Sequence, residues 1–153
     1  MRKSRPTVRN KGLRLVLDTN TAVSGLIWQG TPGRIIDAGL AEKVRLLSSV
    51  PLLAELEGVL QRPKFQQALQ RRGVKVSDLF DGYAALVGCV APVELVGPIC
   101  RDPDDDKVLA AAIGGDADLI VSGEDDLLSL GHYRSIEILS ARDVLILIEN
   151  AKS

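Results

Sequence analysis

Arg101-Asp-Pro-Asp-Asp-Asp-Lys107 sets four carboxylates within five positions directly ahead of an apolar run, Val108 to Ile113. Acids packed against a segment that must be buried repel one another unless a cation neutralises them. Pro103 suits the first turn of a helix, and Asp104 and Asp105 suit a cap whose free N–H groups accept anions, so the sequence predicts a helix from about Asp104. On that helix Asp106 shares a face with Leu109, Ala110 and Ile113, which makes it the acid expected to turn inward. Gly114 and Gly115 end the run. The plain alternative is a capped helix with a solvated acidic start. Two further acidic positions follow apolar strand candidates: Asp18 after Leu13–Leu17, and Glu124-Asp-Asp126 after Leu119–Val121. An all-oxygen set without thiol or imidazole favours Mg2+ or Mn2+ over Zn2+, and such sites hydrolyse phosphodiesters.

The elements that would position these acids alternate between strand and helix. Leu13–Leu17, Val44–Leu47, Leu119–Val121 and Ile136–Leu139 read as strands. Helices are expected over Thr21–Trp28, Arg34–Ala41, the stretch after Ser49, Leu127–Leu130, and Ser140 or Ala141 to about Glu149, with Gln29–Gly33 as a turn. Strands alternating with helices imply an α/β fold with a mainly parallel sheet, whose ligands collect at the carboxyl edge. In the helix after Ser49, Leu52, Leu53, Leu56, Val59 and Leu60 form one stripe, and Glu55 and Glu57 flank it equally. Periodicity does not choose between them. Arg62-Pro-Lys-Phe65 interrupts that helix, and Phe65–Arg72 with Ser77–Val87 predicts a helical hairpin turning at Gly73. Its basic residues Arg62, Lys64, Arg71, Arg72 and Lys75 could hold a phosphate backbone or form a solvated face. Cys89 to Pro98 is irregular apart from one short extended piece.

A chain of 153 residues with 46% hydrophobic and 25% charged residues has the size and balance of one globular domain. Aromatics, at 3%, are too few for a base-stacking platform of the RRM or OB type, and the lone Trp28 reads as core or rim rather than as a base platform. The net charge of -1 conceals a basic arm over residues 1–12, whose Arg2, Lys3, Arg5, Arg9 and Lys11 face no acid. Either the arm meets a polyanion or it is a solubilising tail. Asp18 cuts the first apolar run too short for a signal sequence or a membrane span, so a cytoplasmic protein without a membrane partner is expected. Cys89 and Cys100 lack metal-site spacing, and one histidine, His132, leaves no zinc cage.

The chain resembles the PIN-domain family of metal-dependent ribonucleases, in particular the toxin components of toxin–antitoxin systems (virulence-associated protein C-like ribonucleases). The motifs are Leu15-Val-Leu-Asp-Thr-Asn20 with Val23-Ser-Gly-Leu-Ile-Trp28, Ser49-Val-Pro-Leu-Leu-Ala-Glu-Leu56 with Val59-Leu-Gln-Arg-Pro-Lys-Phe65, Arg101–Lys107, and Leu119-Ile-Val-Ser-Gly-Glu-Asp-Asp-Leu-Leu128. Each is weak alone; four in order over about residues 13 to 148 are specific. The resemblance implies a three-layer α/β/α domain over 13–150 with a sheet of four to five strands and the helical hairpin as a clamp. It further implies that Asp18, Glu55, Asp106 and Glu124 hold Mg2+ or Mn2+, that Asp126 completes the catalytic set, and that Asn20 and Ser122 orient ligands or water. Glu124 departs from the aspartate usual at its position, which motivates a competing expectation: a weak or inactive module that binds RNA or protein. RNA, an antitoxin protein and a second copy of the chain are the partners implied. Phosphatases with a nucleophilic aspartate want a second aspartate two residues on, and receiver domains want paired acids after the first strand. Asn20 and the single Asp18 fit neither.

Overall fold

A computed structural model describes residues 12–151, so the expected basic arm lies outside the described residues but for Gly12. The elements run β1 (Arg14–Leu17), α1 (Thr19–Ile27), α2 (Gly30–Leu40), β2 (Arg45–Ser48), α3 (Val50–Leu60), α4 (Pro63–Arg71), α5 (Val76–Leu86), β3 (Gly88–Cys89), α6 (Pro103–Gly114), β4 (Leu119–Val121), α7 (Asp125–Leu130), β5 (His132–Tyr133), β6 (Ile136–Leu139) and α8 (Ala141–Asn150).

The strands form one sheet in the order β3-β2-β1-β4-β6-β5. All neighbours pair in parallel except β5, which runs antiparallel to β6. Six strands rather than four or five result because β3 and β5, two residues each, extend the edges. Such short segments leave no alternation to read in the sequence.

Alternate strand residues feed opposite cores, as the two-residue period requires. Leu15, Leu17, Leu46, Leu119 and Val121 pack with residues of α1 to α5 and α8. Val16, Leu47, Ile120 and Ile138 pack with Val108, Leu109, Ala111 and Ala112 of α6 and Leu127 of α7. The result is the expected three-layer arrangement, with α6 buried on nearly every side.

Local chemistry explains the boundaries. Ser49 caps α3 by accepting from Leu52 N, and Pro63, with no N–H to give, ends α3 by opening α4. Gly73, at φ +69°, turns α4 into α5 and completes the hairpin. Helix α2 starts at Gly30, four residues before the expected Arg34, because the Gly30-Thr-Pro-Gly33 segment winds into its first turn instead of standing apart as a turn. Gly25 permits the close α1–α2 crossing: a Cβ there would stand 2.7 Å from the Ile36 side chain.

From β1 the chain moves outward through β2 to β3, then returns by α6 to β4 on the other side of β1. The reversal opens a crevice at the carboxyl ends of β1 and β4, where open parallel sheets hold their ligands. Among the described residues, no helix is long and apolar enough to cross a membrane.

Candidate active site

Asp18 follows β1 directly and is 3% exposed. Its backbone N–H donates to Val121 O of β4 at 3.1 Å, so it sits on the seam of the topological reversal. As N-cap of α1 its Oδ1 accepts the Thr21 N–H at 2.8 Å, while Oδ2 accepts the Ser122 hydroxyl at 2.5 Å. Ser122 Oγ in turn accepts the Glu124 N–H at 2.9 Å. One hydroxyl therefore joins the loops after β1 and β4. Each carboxylate oxygen has two lone pairs, so Asp18 retains acceptor capacity for a cation.

A cleft of about 220 Å³ opens here, lined by Asp18, Thr19, Asn20, Glu55, Val59, Arg62, Asp102, Asp104, Asp105, Val108 and Glu124. Glu55 arrives from α3 and accepts the Thr19 hydroxyl at 2.9 Å, whereas Glu57 is exposed and absent from the lining. That geometry separates the two glutamates. Glu124 accepts from Asn20 Nδ2 at 2.5 Å across the cleft. Asn20 and Ser122 thus both hold acids at the expected site.

Of the acids on α6, Asp104 at the exposed rim and the buried Asp105 line the cleft, and Asp106 does not. Asp102 caps the helix by accepting the Asp104 N–H at 2.9 Å, and the helix begins at Pro103. Asp105 then shares a face with Val108, Leu109 and Ala112, all buried, and is itself 8% exposed. Asp106 faces the preceding loop, where its carboxylate accepts Cys100 N at 2.8 Å and Ile99 N at 3.1 Å. Because α6 is apolar on every side, both placements satisfied the hydrophobic pattern. Asp126 is also outside the cleft lining and pairs with Arg101 at 2.8 Å.

Of the basic residues singled out in the hairpin, Arg62 lines the cleft. Lys64 Nζ lies 5.0 Å from the Phe65 ring centroid, and Arg72 Nη1 donates to Ile27 O at 2.6 Å. Arg71 and Lys75 are exposed and do not line it.

The electrostatics of the cleft follow from burying acids beside acids. Burial raises the Asp18 carboxyl above its usual range against the hydrogen bonds of Ser122 and Thr21, and Glu124 adds to the rise. Asp105 is pushed up to about 6 by burial first, then by the charges of Asp102, Glu124, Asp18 and Asp126. Glu55 is raised by burial and by Asp104, opposed by the Thr19 hydroxyl and Lys107. Asp104, bridged to Lys107 at 2.9 Å, is lowered. Among the described residues no three acidic, imidazole or thiol side chains already close on a common ion position. The donor chemistry nonetheless fits a hard divalent cation: carboxylates from four separate segments, the charged forms of Asp18, Glu55 and Asp105 disfavoured by burial, and no sulfur or imidazole in the lining.

These features, a parallel sheet reversing at an acidic crevice, define an α/β domain of the PIN class. The chain belongs to the PIN domain family, whose model matches residues 14–126. PIN domains are generally nucleases that depend on divalent metal. The chain is 31% identical over 121 residues to "Uncharacterized protein MJ1680" of Methanocaldococcus jannaschii, a match covering 77% of this chain and 75% of that protein. It shares its fold with a chain of VapBC2 from Rickettsia felis, solved bound to a DNA fragment from their promoter, at TM-score 0.54 and 15% identity, over 82% of this chain and 97% of that one.

Proposed function

We propose that the protein is a Mg2+- or Mn2+-dependent endoribonuclease whose metal ligands are drawn from Asp18, Glu55, Asp105 and Glu124. The observation that carries this reading is the gathering of those four acids on one cleft at the sheet's reversal. Asp105 takes the place expected for Asp106, and Asp126 acts at most from the rim through Arg101. When bound, a divalent ion would polarise the attacking water and offset charge on the phosphate. The chain's own part is positioning. Ser122 fixes Asp18, Thr19 fixes Glu55, Asn20 fixes Glu124, and Arg62 offers the scissile strand a cation.

The test is cleavage of single-stranded RNA with Mn2+ and with EDTA. Activity is expected with the metal alone and is abolished in Asp18→Asn/Asp105→Asn. Cleavage that survives chelation or the double substitution overturns the reading. Glu124 in the place of the family's usual aspartate favours a second reading, a binding module without turnover. Mn2+ binding measured by calorimetry separates the two, since the module requires no such binding.

The likeness to VapBC2 supports a toxin role. In that role an antitoxin segment would enter the cleft with a basic side chain among the acids, and the toxin would pair as a homodimer. Co-purification with a small neighbouring-gene product supports it; free expression without slowed growth contradicts it.

A further inference from the structure

Beyond Arg62, at the edge of the carboxylate cleft, lies a feature that catalysis by metal does not need. Trp28, at the C-terminal end of α1, is 63% exposed although it is the chain's one tryptophan. Trp28 meets Phe65 edge-on at 6.4 Å between ring centroids, and Phe65 is itself buried. Phe65 N donates to Arg62 O in the first turn of α4, and Arg62 lines the acidic cleft. The Lys64 ammonium lies over the Phe65 ring, and Arg72 is fastened to the carbonyl of Ile27, next to Trp28. No acid takes part in these contacts.

The same helix that begins at Thr19 in the cleft ends at Trp28, about 14 Å away at the helical rise per residue. A short oligonucleotide spans that distance.

We propose that Trp28 is a stacking platform for a base of single-stranded RNA, with Lys64 and Arg62 holding the phosphates between that base and the acidic cleft. The inference rests on the ribonuclease reading for the choice of RNA. Its physical basis is separate: every base presents a π-face to an aromatic ring, and positive charge alongside tracks the backbone. One buried neighbour, Phe65, holds the indole edge-on, and the residue stays 63% exposed. A protein segment covering the same ring is the competing occupant, and it has no use for the continuity with the cleft through Arg62.

Because Trp28 is the sole indole, its fluorescence reports on this position alone. Titration of the metal-free protein with a single-stranded oligouridylate should quench it, and Lys64→Glu should weaken the binding on the order of tenfold. Trp28→Leu should raise KM for RNA by roughly tenfold with kcat changed less than twofold, and Trp28→Phe should restore most of the loss. The exposed site lets both variants fold, which thermal melting verifies. Fluorescence unchanged at oligonucleotide concentrations that saturate the protein, or an unaltered KM in Trp28→Leu, overturns the proposal in favour of a protein-covered or idle surface. Quenching without any Mn2+-dependent cleavage leaves the platform standing and removes the nuclease reading instead.

Discussion

Ser122 Oγ donates to Asp18 Oδ2 at 2.5 Å while accepting the Glu124 N–H at 2.9 Å, so one hydroxyl sets the position of two acids in the loops after neighbouring strands. Ser122→Ala removes both interactions at a residue 1% exposed. Loss of a buried hydrogen bond to a carboxylate costs about 1–3 kcal/mol, and loss of a group orienting a metal ligand lowers affinity or activity roughly 10- to 100-fold. Thermal melting and Mn2+ titration of the variant measure the two effects separately.

The Asp105 carboxyl titrates near 6, above its unfolded value, so the native state binds more protons than the unfolded chain between about pH 4 and 6. This group's contribution to stability is therefore greatest below pH 4, declines through that window and is absent above it. Without divalent metal, Asp105→Asn should melt higher than the native chain at pH 7.5, with the gap closing by pH 4. Mn2+ should reverse the order at pH 7.5 by binding the ionised native carboxylate. A gap independent of pH would contradict the assignment of buried charge to this residue.

Asp105 and Asp106 stand next to each other and do different work. Asp105→Asn should reduce RNA cleavage at least 100-fold. Asp106→Asn should leave turnover within a few fold and cost on the order of 1 kcal/mol, because Ile99 and Cys100 lose a charged acceptor near the surface. Parallel cleavage assays and melts decide it.

Glu55 and Glu57 offer a second matched pair. Glu55→Gln should suppress activity and Mn2+ affinity together, and Thr19→Val should mimic it in part by freeing the Glu55 carboxylate. Glu57→Gln, on an exposed face of α3, should change neither. Equal losses at both glutamates would mean that α3 presents another face to the substrate.

The layers of the fold were legible in the sequence because strand and helix carry different hydrophobic periods, and β1, β2, β4 and β6 each lie within a residue of their expected ends. Edge strands β3 and β5 were not, since two residues carry no period. The site was legible to the level of the segment. Asp18 follows a strand and has no neighbouring acid to confuse it. Asp105 and Asp106 lie in the first turn of a helix that is apolar all round from Val108 to Ile113, so no hydrophobic stripe fixed its rotation, and the capping role of Asp102 emerged only with the backbone. Thr19 gave no signal either: its partner, Glu55, lies 36 positions away in the chain. Trp28 was open between core and rim because the apolar pattern of α1 continues up to it, and its 63% exposure places it on the rim.

The most direct measurement is anomalous diffraction from crystals soaked in Mn2+. A peak within coordination distance of Asp18 and Asp105, with Glu55 or Glu124 completing the set, is the predicted result. A protein that takes up no Mn2+ in this cleft, or holds it against Asp106 or Asp126 instead, would contradict the account of the site.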